Sequence, residues 1–84
     1  LQSKLAQLKE KIAEAQQIGA KFIYIIVKNP ELKENEIIIN PIVNADAKIK
    51  YFEKAYDENL CLKNKNEIEI VDFGYSHEIS DEVL

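Results

Sequence analysis

Eighty-four residues, 46% hydrophobic and 31% charged, are enough for one small globular domain and leave no room for a second core or a cofactor-sized domain. Eleven cations, all lysine, face fifteen acids for a net charge of −4, so the basic, arginine-bearing face used on phosphates and guanines is missing and nucleic-acid binding through phosphates is not expected. One cysteine cannot form an internal disulfide, and no apolar run approaches the roughly 20 residues that cross a bilayer.

The chain opens on Leu1 rather than methionine, so an upstream segment is expected to have been trimmed or processed away. No signal-peptide pattern is present, and a cytoplasmic location is expected. Residues 1–18 read as an amphipathic helix. Leu1, Leu5, Leu8, Ile12 and Ala15 recur at helical spacing, and Gly19 follows as a left-handed stop. The stripe fits packing on the chain's own sheet. It also fits a partner helix or a partner sheet, because two heptads are too few to specify a coiled coil.

Residues 21–28, KFIYIIVK, read as a strand whose continuous apolar run suits cover on both faces. Asn29-Pro30 opens a polar hairpin loop, and residues 36–40 return as a second strand that Pro41 ends or places at an edge. A second helix is expected from Ala45 to Asn59. Asn44 would be its N-cap, Asp46 lies in its first turn, and Ala45, Ile49, Phe52, Ala55 and Tyr56 form its buried side. Leu60–Leu62 reads as a short strand, Asn64–Asn66 as a turn and Glu67–Tyr75 as a strand. Its apolar side changes past Ile70, which a bulge, permitted by Gly74, or a change of covering would explain. Residues 76–84 form an acidic tail in which Ile79, Val83 and Leu84 can dock as a short turn. The order α-β-β-α-(β)-β predicts a single α+β domain with a small, mainly antiparallel sheet packed by two helices.

No motif carries chemistry. Gly19 and Gly74 are isolated, so there is no phosphate loop, and no metal-ligand or nucleophile-elbow spacing occurs. Cys61 would act as a nucleophile only beside a base, and the single histidine, His77, is not brought near it by spacing; a small half-buried residue beside a helix end is the plainer reading. His77, Glu78, Asp81 and Glu82 fit a solvated or partner-contacting tail better than a metal site. Glu67 and Glu69 share a strand face, the pattern of a solvated or edge-protecting surface. No catalytic residue, cofactor or metal is therefore expected, and the lysines of the first helix are too diluted by Glu10 and Glu14 for a membrane surface.

The first strand is apolar on both sides. If both helices cover one side, the other must meet a second molecule, and a two-fold homodimer is the commonest solution. The expected partner contacts are Leu1, Leu5, Leu8 and Ile12 of the helical stripe, Tyr24, Ile26 and Ile38 of the first two strands, Tyr51 of the second helix, and Phe73 and Tyr75 of the last strand. A binding module for a nucleotide or metabolite is the alternative, with Tyr24, Tyr51, Tyr56 and Lys48 lining a pocket at a subunit interface. An acidic nucleic-acid mimic and a small Cys61 enzyme stand further off.

The segments INP, NADAKIKYFEKAYDENLCLK and IEIVDFG, within residues 39–74, resemble small proteins carried by phages and prophages of low-GC Gram-positive bacteria. The shared pattern is a helix with K-x-x-Y-F-x-K-A-Y, an L-x-L strand and a final strand, over somewhat less than half of the chain. The resemblance implies an accessory protein in an infected or lysogenic cytoplasm, and it carries over no active residue.

Overall fold

The structure, a computed structural model, describes residues 2–77. Helix α1 spans Lys4–Ile18. Ser3 caps it, its hydroxyl accepting the Ala6 N–H at 3.1 Å. Gly19 closes it at φ +75°, where a side chain would be strained, and the Gly19 and Ala20 amides return to the carbonyls of the last turn. Strand β1 (Phe22–Lys28) and strand β2 (Glu36–Pro41) form an antiparallel hairpin. A single 3-10 turn, Ile42–Asn44, leads into helix α2 (Ala45–Ala55). Strand β3 (Cys61–Leu62) and the long strand β4 (Lys65–Ser76) complete a four-stranded antiparallel sheet of order β2-β1-β4-β3. The α+β architecture expected from the sequence is the one observed.

Local chemistry sets both ends of α2. Helix α2 ends at Ala55 rather than Asn59, because Tyr56 turns extended and bridges to Leu62. The Asp57 carboxylate then accepts the N–H groups of Asn59 and Cys61, an Asx-type turn that carries buried Leu60 through φ +62°. Asn44 makes no side-chain cap, since as the last residue of the 3-10 turn it sits at φ −93°, ψ 4° rather than in the extended conformation from which a cap reaches the second or third helix amide. Asp46 does sit in the first turn of α2, where the helix dipole favours it.

Both helices lie on one side of the sheet. Leu5, Leu8, Ile12 and Ala15 of α1 and Ala45, Phe52 and Tyr56 around α2 join Ile23, Ile25, Val27 and Ile70 in one buried cluster. Phe52 is its largest fully buried side chain, and residues of this size each contribute about 1.5–3 kcal/mol on burial. Leu5, Leu8 and Ile12 were expected among partner contacts. They are 8%, 1% and 2% exposed, so the stripe is consumed by the chain's own sheet.

The hydrogen-bond parity of the sheet follows from three observations. The Ile42 N–H donates to the Lys21 carbonyl, so within β1 odd-numbered residues bond toward β2 and even-numbered ones toward β4; Lys21, just before the strand, turns its own amide to the Ser76 carbonyl. Consistently, the Phe73 amide opposite Ile25 donates not to β1 but to the Asp72 carboxylate. Pro41, which has no N–H to give, falls at an outward-facing position of β2.

Candidate functional site

Directly opposed residues of antiparallel strands share a face, so the register places every strand side chain. Ile25 faces Ile38 on β2 and Phe73 on β4, and Ile23 faces Tyr75; all of these lie on the helix side. On the opposite side Tyr24 faces Ile39 and Gly74, Ile26 faces Ile37 and Asp72, and Phe22 faces Pro41 and Ser76. Phe22, Tyr24, Ile26, Ile37 and Ile39 thus form an apolar face, and none of them belongs to the buried cluster or the apolar residues packed against it. Ile37 is 45% exposed, and the rest are half-buried by their neighbours within the sheet. Polar groups rim the face: Asp72 beside Ile26, and Lys28 opposite Glu69.

Gly74 has a different part from the one expected. Val71 is the extra residue at the bulge, between Ile70 opposite Val27 and Asp72 opposite Ile26. Gly74 instead seats Tyr24. A Cβ there would stand 2.6 Å from the Tyr24 Oη and 2.8 Å from its Cζ, so the ring lies flat across the bare backbone. An aromatic ring thereby shields a strand glycine and gives the face a smooth centre.

The expected contact residues divide accordingly. Tyr24 and Ile26 are on the uncovered face. Ile38, Phe73 and Tyr75 are not; they pack against the helix-side core. Ile38 was grouped with Tyr24 and Ile26, but the register sets it opposite Ile25 and puts its neighbours Ile37 and Ile39 on the open side. Ile37 and Ile39 therefore take the place on the open face expected of Ile38, and Phe22 joins them there. Leu1 and the tail residues Glu78, Ile79, Asp81, Glu82, Val83 and Leu84 lie outside the described residues.

Tyr51 projects from the margin of α2 at 46% exposure, against the rings of Phe52 (5.7 Å) and Tyr56 (6.2 Å). The Lys48 ammonium stands 4.7 Å from the Tyr51 ring centre. A shallow groove of 510 Å³ adjoins them, lined by Tyr51, Lys54, Ala55, Leu62, Lys63 and Asn64. Tyr24 is on the far side of the sheet, so within one chain it does not join Tyr51, Tyr56 and Lys48.

Cys61 is half-exposed, and its thiol is pushed up from the ordinary value, first by desolvation and then by the carboxylates of Asp57 and Glu69, with Lys4 acting the other way. It is held as the thiol, the less nucleophilic form. Cys61 pairs with Glu69, whereas His77 follows Ser76 at the far end of β4, about 25 Å away at the rise of a strand. Glu69 pairs with Lys4 at 3.6 Å. Among the described residues no three His, Cys, Asp or Glu side chains gather as metal ligands, and no helix is long and apolar enough to cross a membrane.

No family model matches the chain, and no match to it was found among curated proteins or solved structures.

Proposed function

We propose that this chain is a non-catalytic accessory protein that works in the cytoplasm by self-association and protein contact through the uncovered face of its sheet. A phage-encoded, host-modulating role agrees with the resemblance over residues 39–74. The reading is carried by one observation: both helices cover the same side, leaving Phe22, Tyr24, Ile26, Ile37 and Ile39 together on the other. Apolar strand faces of this kind gain by leaving water, and they mark contact surfaces.

The magnitude sets the expected strength. Three strands about 4.8 Å apart and six residues long at about 3.3 Å each cover roughly 300 Å² of plane. That is well under the roughly 800 Å² per partner of a standard interface, so the face alone supports a weak, concentration-dependent contact. Sedimentation velocity across the micromolar range is the test. A second species should grow with concentration, and a monomer throughout would reject self-association.

A ligand-binding reading retains one specific support, the Tyr51–Lys48 pair beside its groove. A thermal-shift screen with nucleotides and acidic metabolites tests it, because a ligand of the folded state raises the melting temperature by mass action.

A further inference from the structure

We infer that the second copy is recruited through the outer edge of β2, two β2 strands pairing antiparallel about a two-fold axis at Ile38 to make one continuous eight-stranded sheet. This rests on the self-association part of that reading but places the contact between copies at the sheet edge, leaving the uncovered face free for protein contact. β2 is an edge strand, and no described residue pairs with its outer side. The parity established by the Ile42 amide points the N–H and C=O groups of Ile37 and Ile39 outward, away from β1. Open edges in native proteins are normally blunted by lysines, bulges or short length. β3 is only two residues long, and on β4 the Asp72 carboxylate occupies the outward Phe73 amide. The Ile37-Ile38-Ile39 stretch carries no lysine, its pairing with β1 is free of register shifts, and the guards of β2, Glu36 and Pro41, stand only at its two ends.

The edge is also complementary to itself. With Ile38 opposite Ile38 of the second copy, Ile37 meets Ile39 and Ile39 meets Ile37, all in outward-facing positions. These pairs exchange about four backbone hydrogen bonds. Glu36 falls opposite Asn40 rather than opposite its own counterpart, so no like charges meet. Shifting the axis to Ile39 would bring Ile37 opposite Pro41, which has no N–H, and bonds would be lost. Edge pairing keeps faces aligned. All helices stay on one side, and the two apolar faces merge into one platform of roughly 600 Å², twice that of a single copy.

The test combines sedimentation with amide exchange on the full chain. Ile39→Pro removes an outward donor that β1 does not use, so it deletes two of the roughly four bonds and should weaken the dimer about 30-fold. Ile39→Thr keeps the donor and the branched side chain and should still dimerise. Ile26→Lys, at the middle of the face and away from the edge, should also dimerise. The Ile37 and Ile39 amides of the unmodified protein should exchange at least about tenfold more slowly above the dissociation constant than below it, a readout independent of whether the proline variant folds. A dimer that Ile26→Lys splits, or whose Ile37 and Ile39 amides exchange equally fast at all concentrations, overturns edge pairing and leaves self-association standing. A protein monomeric at every concentration overturns both.

Discussion

Replacing Gly74 by alanine should change sign with the residue at position 24. The new Cβ would sit 2.6–2.9 Å from the Oη, Cζ and Cε2 atoms of Tyr24, closer than non-bonded contact allows, so the ring must swing off the strand. Lifting it re-exposes roughly 50 Å² of apolar surface, about 1.2 kcal/mol at the usual area coefficient. Alanine also restricts the unfolded chain and gains about 0.4–1 kcal/mol where the backbone accepts it. Gly74 is such a place, since among the described glycines only Gly19 has positive φ. The two effects nearly cancel, and Gly74→Ala alone should destabilise by about 0–1 kcal/mol. In a Tyr24→Ala background there is no ring to displace, and the same change should stabilise by about 0.4–1 kcal/mol. The coupling, about 1.2 kcal/mol, is measured by urea unfolding of the four proteins, kept dilute so that association does not add to stability. A coupling below about 0.5 kcal/mol would refute the packing of Tyr24 on Gly74.

Two further outcomes follow from the core and its titrating groups. Asp57→Ala removes the acceptor of two amides and loosens the turn that holds Leu60 at positive φ; chemical denaturation should report a loss of about 1–3 kcal/mol, with Asp57→Asn retaining part of it. Stability should also fall in alkali. Burial, then the charges of Tyr51 and Glu36, push Tyr56 up from 10.0; desolvation pushes Cys61 up from 9.0; and the hydrogen bond to Glu31 pushes Lys65 up from 10.5. In each case the folded state holds the proton more tightly than the unfolded one. The contribution is complete below the ordinary value and is lost as pH rises through the folded value. Melting temperature should therefore be level near neutrality and drop once pH passes 9.0, the lowest of the three ordinary values. A rise in that range would contradict these environments, and Tyr56→Phe should flatten part of the drop.

The sequence by itself determined the elements and their class. Periods of 3.6 and 2 are properties of the local chain, so the Leu5-Leu8-Ile12-Ala15 stripe, the β1 run and the Gly19 stop were legible without a fold. The switch of apolar side past Ile70 was legible too, but as either a bulge or a change of covering, and the register with β1 decided for the bulge. The end of α2 was harder to see. Residues 56–59 satisfy helical spacing, and only the Asp57 turn and the Tyr56–Leu62 bridge outcompete it.

What tertiary structure alone decided is the side of the sheet to which each residue belongs. The alternation within β2 separates Ile37 and Ile39 from Ile38, yet it does not say which set faces the helices. That depends on the register with β1, and a slip of one residue would exchange the two sets. The same register turned Ile38, Phe73 and Tyr75 inward, left Tyr24 and Ile26 outside, and aimed the amides of Ile37 and Ile39 away from the chain. Hydrogen-bond pairing between distant segments fixes these choices, and no local pattern of residues encodes it.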